Sequence, residues 1–199
     1  MIIALMLIAA YLIGSIPTGL IIGQLFYNID IRQHGSGNLG ATNTFRILGK
    51  KAGIFVTVFD VLKGTIPALF PMLFHQDVHP IIIGVAAVIG HVYPIYLKFK
   101  GGKAVATSAG VILGTNPLLF LIIAIIFFTL LFTTKMVSLT SMLTSIANFI
   151  GTLFFDDKVL MGVSLLIMIV IIVRHKSNIE RILNGTESKI NFSNKRGTL

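Results

Sequence analysis

The chain of 199 residues is 55% hydrophobic and only 12% charged, with a mean hydropathy of +0.92. A water-soluble domain of this length has about a quarter of its residues charged, and 7 Asp and Glu residues cannot coat such a surface. Disorder requires low hydrophobicity, so the composition excludes a disordered chain as well as a soluble globular one. The absence of Cys excludes disulfides and thiolate metal sites. The chain is therefore predicted to be a small polytopic membrane protein.

Apolar runs follow one another along the chain, separated by Pro and polar clusters. They fall at 2–26, 53–74, 80–97, 104–114, 118–133, 137–155 and 159–173. None shows the alternation of a transmembrane β-strand, and open sheet edges cannot face lipid, so the sequence predicts an all-α bundle of about seven transmembrane helices. The run at 104–114 is about half of a span. It is either a re-entrant helix or a short helix shielded by protein.

The positions of the basic residues predict which side of the membrane each loop occupies, because cytoplasmic loops carry an excess of Lys and Arg. With the N-terminus outside, all Lys and Arg residues except Lys63 and Lys158 fall on the inner side. The C-terminus is then cytoplasmic. A five-span version, in which 104–114 and one neighbouring run do not fully cross, keeps the same loops inside. The inner segments are 27–52, 98–103, 134–136 and the tail from 174.

The first of three polar segments on the predicted inner side is HGSGNLGATNTFRILGKK, at 34–51. Its glycines, Gly35, Gly37 and Gly40, match the GxGxxG dinucleotide fingerprint, but that fingerprint follows a strand and here an apolar helix precedes it. Glycines nevertheless let backbone N–H groups converge on an anion. The segment is a candidate phosphate site or an ordinary turn with a solvated Arg. The neighbouring donors are Ser36, Asn38, Thr42, Asn43 and Arg46.

The second polar segment is FKGGKAVATS, at 99–108. Gly101 and Gly102 precede a helix that is predicted to begin near Lys103, which gives a second candidate anion site at a helix N-terminus. Lys100 and Lys103 supply positive charge, and Thr107 is a further candidate phosphate ligand. A simple topology anchor is the alternative, since basic residues on the inner side are common.

The third polar segment, RHKSNIERILNGTE at 174–187, follows the last apolar run. If it continues as a helix, His175 and Asn178 lie one turn apart on one face. The alternative is a set of interfacial cations at the end of the last span. All three segments supply phosphate-type donors on one side of the membrane, and this coincidence favours a single anion-binding site over three unrelated loops.

Two ionisable residues, Asp60 and Lys63, lie inside the second apolar run. Such a pair indicates either a functional site or a mutually neutralising pair that fixes helix packing. Ser138 and Ser141 lie at the start of another run, just after Lys135. They either face the same cavity as the three segments or form hydrogen bonds between helices.

In this order and between these helices, the three segments resemble the acyl-phosphate:glycerol-3-phosphate acyltransferases of bacterial inner membranes. The matching motifs are GSGNLGATN with Arg46, GHVYP leading into FKGGKAVAT, and RHKSNIERILNGTE, together with DVLKG at 60–64 and GS at 14–15. The resemblance covers nearly the whole chain. Residues 1–187 are therefore expected to form one integral-membrane acyltransferase domain, and 188–199 a polar, flexible tail.

The resemblance implies transfer of a fatty acyl group from acyl phosphate to the 1-hydroxyl of glycerol 3-phosphate. The products are lysophosphatidic acid and phosphate, in the first acylation step of bacterial phospholipid synthesis. It also implies a monomer of seven spans in the inner membrane, with a cytoplasmic active site, no cofactor, no metal, and neither a protein nor a nucleic-acid partner. Glu187 and the Asp60–Lys63 pair are expected to be structural. The active-site residues implied are Ser36, Arg46, Lys103, His175 and Asn178.

The residues leave several chemical alternatives open. His175 is either a general base or a group that orients glycerol 3-phosphate while a substrate phosphate accepts the proton. Ser36 is either a phosphate-binding hydroxyl, which is favoured, or an acylated nucleophile. Two other functions compete with the one implied: transport of phosphorylated or other anionic solutes, and acyl transfer from acyl-CoA. The lack of a visible internal repeat disfavours the transporter.

Overall fold

A computed structural model describes residues 1–190, and every regular element in this range is helical. Residues 191–199, which make up most of the predicted tail at 188–199, lie outside the described part. The predicted all-helical fold is confirmed. The helices are α1 Ile2–Gly14, α2 Thr18–Tyr27, α3 Ala41–Ala68, α4 Phe70–Leu73, α5 Pro80–Val92, α6 Val105–Thr115, α7 Pro117–Thr134, α8 Val137–Thr152, α9 Lys158–Arg174 and α10 Lys176–Leu183, with 3₁₀ turns at Ile31–Gln33 and Ile95–Leu97.

By length and composition, two helical segments in residues 1–190 are long and apolar enough to cross a membrane, at Pro80–Leu97 and Pro117–Thr134. Two bent pairs bring the number to as many as four: α1 with α2, at 43°, and α9 with α10, at 57°. Helix α6 has 11 residues. At 1.5 Å per residue this is about 16 Å, half of a hydrocarbon core of about 30 Å. It packs against α3, α5 and α7 and is therefore a short helix shielded by protein.

The apolar run at 2–26, predicted as one helix, is broken between α1 and α2. Pro17 has no N–H group with which to continue the helical hydrogen bonds. Within the break the carbonyl of Ile16 accepts hydrogen bonds from the N–H of Thr18 and from Lys63 Nζ, each at 3.0 Å. A buried cation on α3 therefore binds the backbone of the break.

Helix α3 begins at Ala41, twelve residues before the predicted apolar run at 53–74, so Arg46, Lys50 and Lys51 are helical and not part of a loop. An Asx turn prepares this start, because Asn38 Oδ1 accepts the N–H of Gly40 at 2.9 Å. Gly49, with φ 85° and ψ −177°, kinks the helix in a conformation that favours glycine. The kink separates a polar first part at 41–48 from the apolar part that follows.

The backbones of helices α3 and α6 are in direct contact where Gly64 and Gly110 lie. A Cβ atom on Gly64 would collide with the carbonyl of Thr107, and one on Gly110 would collide with that of Val61. Thr65 Oγ1 also donates to the carbonyl of Gly110, at 3.0 Å. This close packing fixes the start of α6, and with it the preceding loop, against α3.

The ends of α5 and α9 differ in charge. At their N-terminal ends His79 Nε2 lies 2.8 Å from Asp157 Oδ2, and Asp157 Oδ1 caps α9 by accepting the N–H of Leu160 at 2.8 Å. Near their C-terminal ends lie Lys103 and Arg174. Lys103 and Arg174, two of the cations predicted for the inner side, therefore lie at the end of α5 and α9 opposite to the His79–Asp157 pair.

Candidate active site

An open cleft lies at the cationic end of the bundle. Each of the three polar segments contributes to its wall: Asn38 from the first, Lys103 from the second, and Arg174 to Glu180 from the third. The structure thus brings together Asn38, Lys103 and Arg174, which are more than 60 positions apart in the chain. The lining residues are Asn38, Tyr93, Lys103, Val173, Arg174, Lys176, Ser177 and Glu180.

Lys103 lies where the cleft meets the protein interior, and its Nζ donates a hydrogen bond to Asn178 Oδ1. Burial is the main cause that lowers the pKa of Lys103, to about 8. The positive charges of Arg181, Arg174 and Arg46 lower it further, and the Glu187 carboxylate opposes them. Several cations therefore share a small space, which is the arrangement expected where an anion binds.

Glu187 fixes the orientation of the Asn178 amide. Its Oε1 accepts hydrogen bonds from Ser138 Oγ, at 2.6 Å, and Asn178 Nδ2, at 2.7 Å, and its Oε2 accepts from Arg181 Nε, at 2.7 Å. Burial raises the pKa of Glu187, but these hydrogen bonds outweigh it and hold the pKa below its usual value. Since a carboxylate only accepts and an ammonium only donates, Nδ2 of Asn178 must face Glu187 and Oδ1 must face Lys103.

His175 lies at the bend between α9 and α10 and is 3% exposed. Its Nδ1 is 2.7 Å from the carbonyl of Ile171. A carbonyl can only accept, so Nδ1 carries the proton, and in the neutral ring Nε2 has a free lone pair. His175 can therefore accept a hydrogen bond or a proton at Nε2.

Asn43 holds the first polar segment together. Its Nδ2 donates to the carbonyls of Ile31 and His34, each at 3.1 Å, and its Oδ1 accepts the N–H of Ser36 at 2.9 Å. Both amide protons are therefore used within the loop. These contacts favour a role of Asn43 in shaping the loop, and its contact with phosphate stays a prediction.

The loop that Asn43 organises turns through Gly35 and Gly37, whose φ values are 60° and 68°. Ser36 is exposed between them, and its Oγ accepts the N–H of Asn38 at 3.4 Å. Thr42 is also exposed, at the start of α3. The loop therefore presents hydroxyl groups to solvent on the same side as the cleft residue Asn38.

The backbone amides of Gly101 and Gly102, which were predicted to bind an anion, have hydrogen-bond partners inside the protein. Their N–H groups donate to the carbonyls of Val92, at 3.1 Å, and His91, at 3.0 Å, at the end of α5. A Cβ atom on Gly102 would collide with the His91 ring. These glycines are required for close packing against α5, and a phosphate contact from their amides stays a prediction.

Thr107 and Ser141 face the protein interior and not the cleft. Thr107 is fully buried, and its hydroxyl lies 3.1 Å from Nδ1 of His91. Ser141 is 3% exposed, and its hydroxyl donates to the carbonyl of Val137 in its own helix, at 2.8 Å. Both hydroxyls therefore have partners in the packed core, and a phosphate contact from Thr107 or Ser141 stays a prediction.

Arg46 and Lys100 lie on the cationic side. Arg46 is half-buried and close enough to Lys103 to lower its pKa, and Lys100 is exposed. In residues 1–190 no three His, Asp or Glu side chains cluster in a way that could hold a metal ion.

Asp60 and Lys63 form a buried ion pair of 2.7 Å. Asp60 Oδ1 also accepts from Thr18 Oγ1 at 3.0 Å, and Lys63 donates to Ile16, so the pair bridges the break between α1 and α2. These contacts favour the packing alternative over a functional site. The pair holds two helices to α3.

Several residues at the site were not predicted from the sequence, among them Tyr93, Arg174 and Arg181. Tyr93 lines the cleft, Arg181 binds Glu187, and Arg174 donates to the carbonyls of Gly101 and Gly102. The partners of Arg174 are backbone carbonyls more than 70 residues away, which no spacing of side chains reveals. The Arg181–Glu187 pair lies within one motif, but its six-residue separation matches no helical pairing rule.

Comparison with known proteins gives a consistent result. The family model for glycerol-3-phosphate acyltransferase matches residues 4–185. A glycerol-3-phosphate acyltransferase of Macrococcus caseolyticus is 73% identical over 190 residues, which cover 96% of this chain and 98% of that protein. One of Bacillus cytotoxicus is 56% identical over 192 residues, covering 96% and 97%.

Solved structures agree with these sequence matches. A crystal structure of PlsY (YgiH), an integral membrane glycerol 3-phosphate acyltransferase in its glycerol 3-phosphate form, superposes with a TM-score of 0.89 at 38% identity, covering 94% of this chain and 95% of that one. The lysophosphatidic acid form of the same protein gives a TM-score of 0.87. The resemblance seen in the motifs is confirmed. The chain is an integral membrane protein and belongs to the glycerol-3-phosphate acyltransferase family.

Proposed function

We propose that this protein transfers a fatty acyl group from acyl phosphate to the 1-hydroxyl of glycerol 3-phosphate, giving lysophosphatidic acid and phosphate. The observation that supports this most directly is an open cleft whose wall contains Lys103, Asn38 of the first segment and Arg174 of the third, with Asn178 bound to Lys103. Both proposed reactants carry phosphate and need cations close together. The solved relative exists in a glycerol 3-phosphate form and a lysophosphatidic acid form.

In this proposal the protein mainly positions two anions and neutralises their charge. Lys103 and Arg46 bind phosphate, and they stabilise the phosphate that leaves. Asn178 and Glu187 hold the Lys103 ammonium in place. Ser36 binds phosphate through its hydroxyl at the mouth of the cleft, with Asn38, Thr42, Lys100 and the Gly35, Gly37 and Gly40 backbone around it.

The reaction itself needs one bond to form and one to break. The 1-hydroxyl oxygen of glycerol 3-phosphate attacks the acyl carbonyl carbon, and the bond from that carbon to the phosphate oxygen breaks. Nε2 of His175 accepts the hydrogen bond of the hydroxyl and so orients it, and the proton passes from the hydroxyl through Nε2 to the departing phosphate. No covalent acyl-enzyme forms in this scheme, so Ser36 acts as a ligand only.

The choice of acyl donor distinguishes the proposed reaction from acyl transfer that uses acyl-CoA. Purified protein is expected to convert radiolabelled glycerol 3-phosphate to lysophosphatidic acid when it is given acyl phosphate, releasing one phosphate per product. It is expected to give no product with acyl-CoA. Equal rates with acyl-CoA would contradict the proposed donor. Uptake of glycerol 3-phosphate into sealed proteoliposomes without covalent product would favour a transporter instead.

We further propose that residues 1–187 form one domain of seven spans in the bacterial inner membrane. The protein would be a monomer, with its N-terminus outside and its C-terminus and active site in the cytoplasm. The cations Lys103 and Arg174 at one end of the bundle support this orientation, because cytoplasmic loops carry an excess of Lys and Arg.

Single Cys residues can test the orientation, because the chain has no Cys of its own. Asp77 and Ser188 are both exposed, at the two ends of the bundle. In intact cells a membrane-impermeant maleimide is expected to label Asp77→Cys and not Ser188→Cys, with both labelled after the membrane is permeabilised. The reverse pattern in intact cells would contradict the proposed orientation.

A further inference from the structure

In the turn that precedes Lys103, the backbone N–H and carbonyl groups of Gly101 and Gly102 all form hydrogen bonds. The N–H groups of Gly101 and Gly102 donate to the end of α5, as described above. Their carbonyls accept from the guanidinium of Arg174: Nη2 lies 2.8 Å from the oxygen of Gly101, and Nε lies 3.2 Å from that of Gly102. The two peptide units therefore cannot rotate without losing hydrogen bonds.

Arg174 is suited to this contact by its position and shape. It is the last residue of α9, where the helix dipole favours a cation. Its planar guanidinium presents several N–H groups in a fixed fork, so it can donate to two adjacent carbonyls at once, whereas a Lys ammonium acts as a single point charge. The contact links α9 to the loop between α5 and α6.

We propose that Arg174 is a positioning residue, which clamps the Gly101–Gly102 turn between α5 and α9 and so aims Lys103 at the substrate phosphate. This rests on the proposed function, since it gives Lys103 that role. Asn178 holds the ammonium end of Lys103, and Arg174 holds the backbone from which Lys103 starts. The side chain is thus fixed at both ends, as preorganised charge stabilisation requires.

Arg174 is also one of the charged groups around Lys103. The others are Arg46 on α3, Arg181 on α10, and Glu187 with His175 in the third segment. Loss of the Arg174 charge and loss of its hydrogen bonds are therefore separate effects. Arg174→Lys keeps the positive charge but loses the pair of hydrogen bonds from the guanidinium to Gly101 and Gly102. Arg174→Gln loses both the positive charge and these hydrogen bonds.

Hydrogen exchange tests the clamp without any assay of activity. In both variants peptides covering 98–104 are expected to exchange faster than in the wild-type protein, while peptides from α7 stay unchanged. Lys98→Gln is the matched control, because it removes an exposed cation from the same loop and leaves the clamp intact. Unchanged exchange at 98–104 in Arg174→Lys would overturn the clamp, whatever reaction the protein catalyses.

Kinetics test whether the clamp acts through Lys103. Arg174→Lys is expected to raise KM for glycerol 3-phosphate about tenfold or more, the loss expected for a hydrogen bond to a charged group. The pH above which kcat/KM of Arg174→Lys falls should match that of the wild-type protein. Arg174→Gln should show the same KM defect with the limit moved to higher pH, since one cation near Lys103 is gone. Lys98→Gln is expected to retain wild-type values.

A double mutant separates positioning from direct binding. If Arg174 acts through Lys103, adding Arg174→Lys to Lys103→Gln should cost little more than Lys103→Gln alone. Additive losses would overturn the proposal and indicate that Arg174 binds substrate directly. If Arg174→Gln fails to fold, Arg174→Lys alone decides the question. If the wild-type protein shows no acyl transfer, the proposed function is refuted. The hydrogen-exchange measurement still tests the contact between Arg174 and the Gly101–Gly102 turn, because it does not depend on activity.

Discussion

Replacing Lys103 by Ala is expected to lower kcat/KM for glycerol 3-phosphate by about a hundredfold to a thousandfold, the effect typical of removing one preorganised donor from a developing charge. Lys103 lines the cleft and its ammonium contacts Asn178, and burial has already removed much of its hydration. A steady-state assay with acyl phosphate measures the loss. Lys158→Ala is the control. Lys158 lies at the N-terminal end of α9, outside the cleft, so the loss of its positive charge should leave the rate unchanged.

The pH profile gives a second measure of the same residue. With its pKa lowered to about 8, Lys103 loses its proton as the pH rises through 8, so kcat/KM of the wild-type protein should fall above that pH. Lys103→Arg keeps its charge and should show no such fall, because an Arg side chain stays protonated. Near-normal kinetics in Lys103→Ala, or an alkaline limit that survives in Lys103→Arg, would contradict the assignment.

The helices were predictable because each hydrophobic run is punctuated by polar or Pro residues, and a run in lipid has to be helical. The prediction failed where tertiary contacts decide the backbone. Pro17 alone does not reveal whether a helix bends or breaks, and the break persists because Lys63 binds the freed carbonyl of Ile16. The early start of α3 depends on the turn at Asn38 and Gly40.

At the site, the sequence identified the residue types but not their partners. Lys103, His175 and Asn178 were predicted together, and the structure brings these segments together. Asn43, Thr107 and the amides of Gly101 and Gly102 were predicted as phosphate donors, yet other protein groups use them. The chemistry of a donor is visible in one residue, but whether it is free depends on a neighbour that folding supplies. For Thr107 that neighbour is His91, 16 residues away.

Replacing Asp60 by Ala is expected to destabilise the protein by about 3–5 kcal/mol, the cost of breaking a buried ion pair on one side. Asp60 and Lys63 are 2% and 6% exposed. Without the carboxylate, Lys63 keeps only the Ile16 carbonyl, and Thr18 loses its acceptor. The anchor of α1 and α2 on α3 should therefore weaken. Unfolding followed in detergent, by heat or denaturant, measures the change.

A double replacement of Asp60 by Ala and Lys63 by Met distinguishes a packing pair from a functional one. Removing both charges leaves no unpaired ion, so the double variant should be more stable than Asp60→Ala alone. Neither residue contributes to the wall of the cleft around Lys103. Acyl transfer per folded molecule should therefore stay near the wild-type value in both variants. A variant that is as stable as the wild-type protein but inactive would contradict the packing role and indicate that Asp60 and Lys63 take part in the reaction.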